Sequence, residues 1–157
     1  MASDEIRVRP GTPEDLPRVA RHYAHGDSPW DPFGEVSKLS RIPLDGLLVA
    51  EVNGEYAGFL YWFEGRNPYF DRTVGRYANF QELHVLQRFR RRGLGKALVE
   101  RFLADARARG IVEAFVDTDD DNLVAQQLYE SVGFRQYRKV FHYRMRLGDG
   151  SRPEAAP

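Results

Sequence analysis

The chain has 157 residues, enough for one domain with a buried core. It has no cysteine, which excludes disulfides, thiolate metal sites and a cysteine nucleophile and fits a reducing cytoplasm. Its 23 basic and 23 acidic side chains cancel, which argues against a dedicated nucleic-acid binder, and no apolar run is long enough to cross a bilayer.

The opening Met1-Ala2-Ser3-Asp4-Glu5 lacks the basic and apolar blocks of a secretory signal, so a cytoplasmic protein is expected. Residues 5–9 alternate polar and apolar side chains, the pattern of an edge or half-buried strand. Thr12, Pro13 and the acids Glu14 and Asp15 then predict a helix start. Leu16, Val19, Ala20 and Tyr23 share one face of that helix, which is expected to end near His25-Gly26. Residues 27–43 read as irregular or weakly helical, with Trp30, Phe33 and several prolines.

Residues 47–51 and 56–64 read as strands. Asn53-Gly54 between them suits the two positive-φ positions of a type I′ hairpin turn. Residues 65–79 form an insertion rich in Tyr, Phe and Arg, and a strand is expected over 80–86. The following helix places Leu98, Val99, Phe102, Leu103 and Ala106 at a helical period, and Gly110 stops it. The apolar run 111–116 suits a central strand, so strand, helix and strand predict a right-handed crossover and a parallel pair. A helix over 122–132 ends at Gly133, and strands are expected at 134–137 and 140–147. The expectation is one domain over 1–147, then a frayed tail over 148–157.

The stretch from Leu83 to Leu98 is the most informative. It reads as an apolar strand, a basic glycine-bearing loop and the start of an amphipathic helix. The first N–H groups of a helix have no intrahelical partner and suit a phosphate. Gly93 and Gly95 carry no Cβ, so a ligand can approach the main chain there. Arg88, Arg90, Arg91, Arg92 and Lys96 add positive potential.

Two motifs carry a family resemblance. Arg90-Arg91-Arg92-Gly93-Leu94-Gly95 matches the R/Q-x-x-G-x-G/A signature of the GNAT superfamily of N-acetyltransferases, preceded by the apolar pair Leu83 and Val85. Asn122-Leu123-Val124-Ala125-Gln126-Gln127-Leu128-Tyr129-Glu130-Ser131-Val132-Gly133-Phe134 matches the second motif, N-x-x-A-x-x-L-Y-E-x-x-G-F. The chain resembles that family over about residues 80–137. Gln87 stands where the family usually has proline, and Arg91 where it frequently has glycine.

The resemblance implies an α/β fold with a mixed, mostly antiparallel sheet of six to seven strands and helices on both faces. It implies acetyl-CoA as cosubstrate, with the pyrophosphate on the loop of Arg90, Arg91, Arg92, Gly93, Leu94, Gly95 and Lys96. It implies that Leu83 and Val85 contribute main chain: the strand splays from its parallel neighbour, and the pantetheine arm pairs with it as an added strand. A backbone N–H near Val85 would polarise the acetyl carbonyl. Asn122 opens its helix and reaches the cofactor. No metal is implied, and His22, His25 and His142 have no metal-ligand spacing. A calcium loop at Asp117–Asn122 fails, since Asn122 stands where glycine is wanted and Leu128 where glutamate is.

Direct transfer to a primary amine through a tetrahedral intermediate is the expected reaction. Tyr129 is the candidate acid, since a tyrosine near ~10 can donate to a departing thiolate whose thiol titrates near ~8.5. Glu82 and His84 share one strand face by the period of two, which makes Glu82 the first candidate base and His84 the second, with a water chain as alternative. Trp30, Phe33, Tyr69, Phe70, Tyr77 and Phe80 either form a lid for a cationic amine or pin loops to the core. The acceptor stays open among antibiotic, polyamine, amino acid, peptide N-terminus and protein lysine. A catalytically silent acyl-CoA sensor and a longer acyl donor are the competing readings. No nucleic-acid or membrane partner is expected, and the terminal strands offer an edge for a homodimer.

Overall fold

The computed structural model describes residues 3–24, 44–65, 76–143, 145, 147 and 148. The segments carrying His25, Gly26, Trp30, Phe33, Tyr69 and Phe70, and the tail from 149, lie outside the described residues.

Five strands are found among those residues, in the order in which they occur in the chain. They are β1 (Ile6–Pro10), β2 (Leu47–Val52), β3 (Glu55–Gly65), β4 (Tyr77–Val85) and β5 (Ala114–Phe115). The first four pair antiparallel and β5 runs parallel to β4. Asn53 and Gly54 turn β2 into β3 at φ of 51° and 80°, the left-handed pair such a hairpin needs. The helices are α1 (Leu16–Ala24), α2 (Leu94–Ala108) and α3 (Leu123–Ser131).

Both sheet faces are covered, which is why β2 is apolar along nearly its whole length. Leu48, Ala50 and Val52 join Leu60, Trp62, Leu98, Val99 and Phe102 in a core under α2. The intervening Leu47 and Val49 join Val19, Tyr56 and Phe59 under α1. The side chains of α3 that pack inward, Leu128, Tyr129 and Val132, do so on the α2 side.

One charged group is buried with this frame. Asp15 is 3% exposed at the start of α1. Arg9 of β1 grips it with two bonds, of 2.7 and 2.9 Å, while its Nε reaches Glu51 of β2 at 2.8 Å. The Thr12 N–H also donates to Asp15, at 2.8 Å. Asp15 therefore stays ionised down to about 2, chiefly because of the Arg9 bonds.

Two expectations change. The run 111–116 yields only a two-residue strand. The Ile111 N–H is used on the Ala106 carbonyl at the end of α2, and Ile111 turns into the core while Val112 is 82% exposed. The described residues at 134–143 carry no strand pairing. There Val140, Phe141 and Tyr143 keep 55% to 93% of their surface in solvent, so their alternation is matched to no packed face. Tyr137 still lies against Phe115 of β5, with ring centroids 5.8 Å apart. Five strands thus replace the expected six to seven among the described residues. No described helix is long and apolar enough to cross a membrane.

Candidate active site

The glycine loop is built by two left-handed residues. Arg91 stands at φ 65° and Gly93 at φ 82°. Before them Phe89 is buried, with the Arg88 and Arg92 guanidinium groups 4.9 and 5.5 Å from its ring centre. After them the first helical bond of α2 runs from the Ala97 N–H to the Gly93 carbonyl. The N–H groups of Leu94, Gly95 and Lys96 thus open the helix without an acceptor one turn back.

The basic side chains divide into two sets. Arg88 pairs with Glu55, Arg92 with Asp4 at 2.7 Å, and Lys96 lies 3.9 Å from Glu100. Arg90 turns back, its Nε donating to the Val85 carbonyl at 3.1 Å. Among the described residues no carboxylate pairs with Arg90 or Arg91. Positive charge for an anion at this helix start therefore comes first from these two.

Gly95 has a role the sequence did not suggest. A Cβ there would stand 3.3 Å from Leu128 Cδ2 and 4.0 Å from Leu83 Cδ2. The missing side chain lets α2 sit close on α3 and β4, so Gly95 serves packing between elements. Gly93 faces open space and supplies the turn.

Leu83 and Val85 send their side chains into the α2-side core. Their main chain pairs with β3, Leu83 opposite Leu60 and Val85 opposite Gly58. On the other edge, β5 pairs with β4 only at Ala78 and Asn79. From residue 80 to 85 that edge has no strand partner among the described residues, and it leads directly to the start of α2.

Tyr129 lies across the same edge on α3. Its ring meets Phe80 at 5.3 Å and Phe134 at 6.1 Å. Burial, and then the nearby Glu82 carboxylate, push its hydroxyl up to about 12. Glu82 and His84 are brought together, with Oε2 2.9 Å from Nε2. A carboxylate on Nε2 fixes the proton there when the ring is neutral and leaves Nδ1 as the basic nitrogen. Asn122 is the N-cap of α3, its Oδ1 accepting from the Ala125 N–H at 3.1 Å. Tyr77 and Phe80 pack against Phe115 and Phe102, so these two anchor the sheet.

A ring cluster on the α1 side was not foreseen. The His84 ring stacks on Phe59 at 5.2 Å and meets the edges of His22 and Tyr23 at 5.7 and 5.6 Å. His22 in turn bonds the Tyr56 hydroxyl through Nδ1 at 2.9 Å. Only Tyr23 of the α1 pair falls on the apolar stripe, so helical period alone gave no reason to single out His22. A hollow of about 490 Å³ lined by Arg18, Arg21, Tyr56, Leu86 and Arg88 lies on this face, and another of about 250 Å³ lies between α2 and residues 111–114 and 132–134. Neither includes Tyr129 or the glycine loop. Among the described residues no group of three His, Asp or Glu could hold a metal ion.

The acetyltransferase (GNAT) family model matches residues 14–134. The chain belongs to the GNAT family. The GCN5-like protein acetyltransferase Rv2170 of Mycobacterium tuberculosis is 32% identical over 72 residues, covering 46% of this chain and 35% of that protein. The ribosomal protein bS18-alanine N-acetyltransferase of Haemophilus ducreyi is 35% identical over 86 residues, covering 54% of this chain and 57% of that protein. The chain thus spans about a third and somewhat over half of the lengths of these two relatives. Among solved structures, the aminoglycoside N-acetyltransferase AAC(6')-Iy, solved in complex with CoA, superimposes with a TM-score of 0.73 at 21% identity, over 92% of this chain and 97% of that one. That similarity extends the GNAT fold over nearly the whole chain.

Proposed function

We propose that this GNAT protein is an acetyl-CoA-dependent N-acetyltransferase acting on a primary amine by direct transfer. The observation that carries the reading is the open edge of β4 at residues 80–85, which runs to the unpartnered amides of α2 and has Tyr129 on α3 and the Glu82–His84 pair beside it. The Leu94, Gly95 and Lys96 amides, with Arg90 and Arg91, would hold the pyrophosphate. The β4 edge would pair with the pantetheine arm and point the Val85 region at the acetyl carbonyl.

His84 Nδ1 would take the proton that the amine nitrogen loses as it bonds the carbonyl carbon. Glu82 holds the imidazole and stabilises its charged form, so the two candidate bases act as one unit. Tyr129 would donate its hydroxyl hydrogen bond to sulfur as the carbon–sulfur bond breaks. Against a thiol near ~8.5, a tyrosine at about 12 makes complete proton transfer uphill by about 5 kcal/mol. Tyr129 therefore stabilises the departing thiolate mainly by donation. Burial of the thiol in the same surroundings narrows the gap.

Calorimetric titration with CoA tests the first step, and thiol release with acetyl-, propionyl- and succinyl-CoA across a broad amine panel tests the second. Binding with turnover on an amine is expected. No CoA binding by folded protein overturns the reading. Binding without turnover on any acceptor assigns the chain to the silent sensors, and preference for a longer donor corrects the acyl group.

A further inference from the structure

We infer that Tyr56 and His22 are positioning residues that hold the His84 ring in the orientation in which its Nδ1 can accept the amine proton, the tautomer itself being set by Glu82. The inference rests on the assignment of His84 as the base.

Among the described residues, three elements converge on the His84 ring. Phe59 of β3 is fully buried and supplies a flat support, stacked at 5.2 Å and 18°. Glu82 of β4 binds Nε2 at 2.9 Å. His22 and Tyr23 of α1 close the ring from the edges. The helix α1 sends only these two rings, so its grip on His84 depends on what fixes them. For His22 that is Tyr56, whose hydroxyl lies 2.9 Å from Nδ1. His22 also meets the edges of the Tyr56 and Phe59 rings at 5.8 and 5.7 Å.

The proton arrangement follows from chemistry. The Tyr56 hydroxyl is buried, keeps its proton well above the ordinary range because of that burial, and has His22 as its hydrogen-bond partner. It therefore donates to Nδ1, and the His22 proton sits on Nε2. Burial, then the His84 and Arg90 charges, hold His22 down to about 4, so it stays neutral wherever His84 works. Among the described residues, the titratable groups that meet His84 are Glu82 on its own strand and His22 and Tyr23 of α1, with Tyr56 and the Arg90 charge acting on His22 behind them. With His22 neutral, the charge gained by His84 faces one carboxylate and no second imidazolium.

Losing the Tyr56 hydroxyl frees the His22 ring to turn and to exchange tautomers, and His84 loses one of its walls. Tyr56→Phe keeps the ring and so preserves the packing. Nitrogen-15 NMR of the imidazoles in the ligand-free protein is the primary test. In those spectra the wild-type His84 ring signals are expected to be sharp and shifted by the stacked Phe59 ring, and Tyr56→Phe and His22→Phe are expected to broaden them or move them toward free-imidazole positions, with the Nε2–H tautomer kept by Glu82. That reading needs no turnover, so it tests the positioning of His84 separately from the acetyltransferase assignment. With an amine acceptor, kcat of Tyr56→Phe should fall about tenfold to a hundredfold, with the KM for acetyl-CoA kept within about twofold. In a His84→Gln background the same change should cost less than about twofold, because the two residues act through one ring. Unmoved and unbroadened His84 ring signals in both variants, or an equal loss in the His84→Gln background, overturn the inference.

Discussion

Tyr129 holds a proton that is unusually hard to remove, and this sets the pH signature of its proposed role as donor. It stays protonated up to about 12, so it contributes no alkaline limb to kcat below about pH 11. Tyr129→Phe is expected to lower kcat by about tenfold to a thousandfold with CoA affinity nearly unchanged, measured by steady-state kinetics and calorimetry. A ring-fluorinated tyrosine at this position gives the converse result. Its lower pKa brings an alkaline limb down into the measurable range, and full activity above that limb would assign Tyr129 to packing alone. Arg91 makes a second residue-scale prediction. A non-glycine residue in the left-handed region costs roughly 1–2 kcal/mol, and glycine returns part of this as unfolded-state entropy. Arg91→Gly should therefore leave the fold equally stable or up to about 1 kcal/mol more stable by thermal melting. It should also weaken CoA binding, most strongly at low salt, because an unpaired cation is lost beside the amides.

At the scale of elements, the Arg9–Asp15–Glu51 network fastens α1 to β1 and β2, and α1 carries His22 and Tyr23 to the site. Asp15→Asn leaves the Arg9 charge half-paired in a mostly buried position and should cost about 3 kcal/mol, or a fall in Tm of about 6–12 °C. The pH dependence has a definite sign. The folded-state pKa of Asp15 is depressed to about 2, so its contribution is complete above the ordinary carboxylate range near ~4 and is lost as pH falls from there toward 2. Acid melts of wild type and Asp15→Asn should converge over that window. Curves that stay parallel would mean that Asp15 is not what fails first. The cap of α3 is simpler. Asn122 spends its side-chain oxygen on the Ala125 N–H, which aligns the helix that presents Tyr129.

For the whole molecule, the sheet order and the site were legible to different depths. Strong local signals gave the hairpin at Asn53-Gly54, the helix after Gly93 and the α3 motif, because turn conformations and helical periods are written in neighbouring residues. That Glu82 and His84 share a strand face followed from the period of two, and the structure adds the bond between them. Contacts between distant segments were not readable. His22 and Tyr56 are 34 positions apart, and the hydrogen bond between them exists only because α1 crosses β3. Likewise the partners of Arg88 and Arg92, Glu55 and Asp4, lie far off in the chain. Counting arginines therefore overstated the charge on offer to an anion. At the carboxyl end, alternation from residue 140 onward promised a strand that the described residues do not form, since a period of two states which face would be buried but not whether anything covers it.

The amino-terminal stretch ahead of β1 is tied into this machinery. Asp4 accepts from Arg92 of the glycine loop at 2.7 Å and from the Asn53 side chain at 3.1 Å, and the Glu5 N–H donates to the same Asn53. An affinity tag or a protease-cleavage scar joined just upstream would pull on the clasp between Asp4 and the glycine loop. Purification handles belong at the opposite terminus.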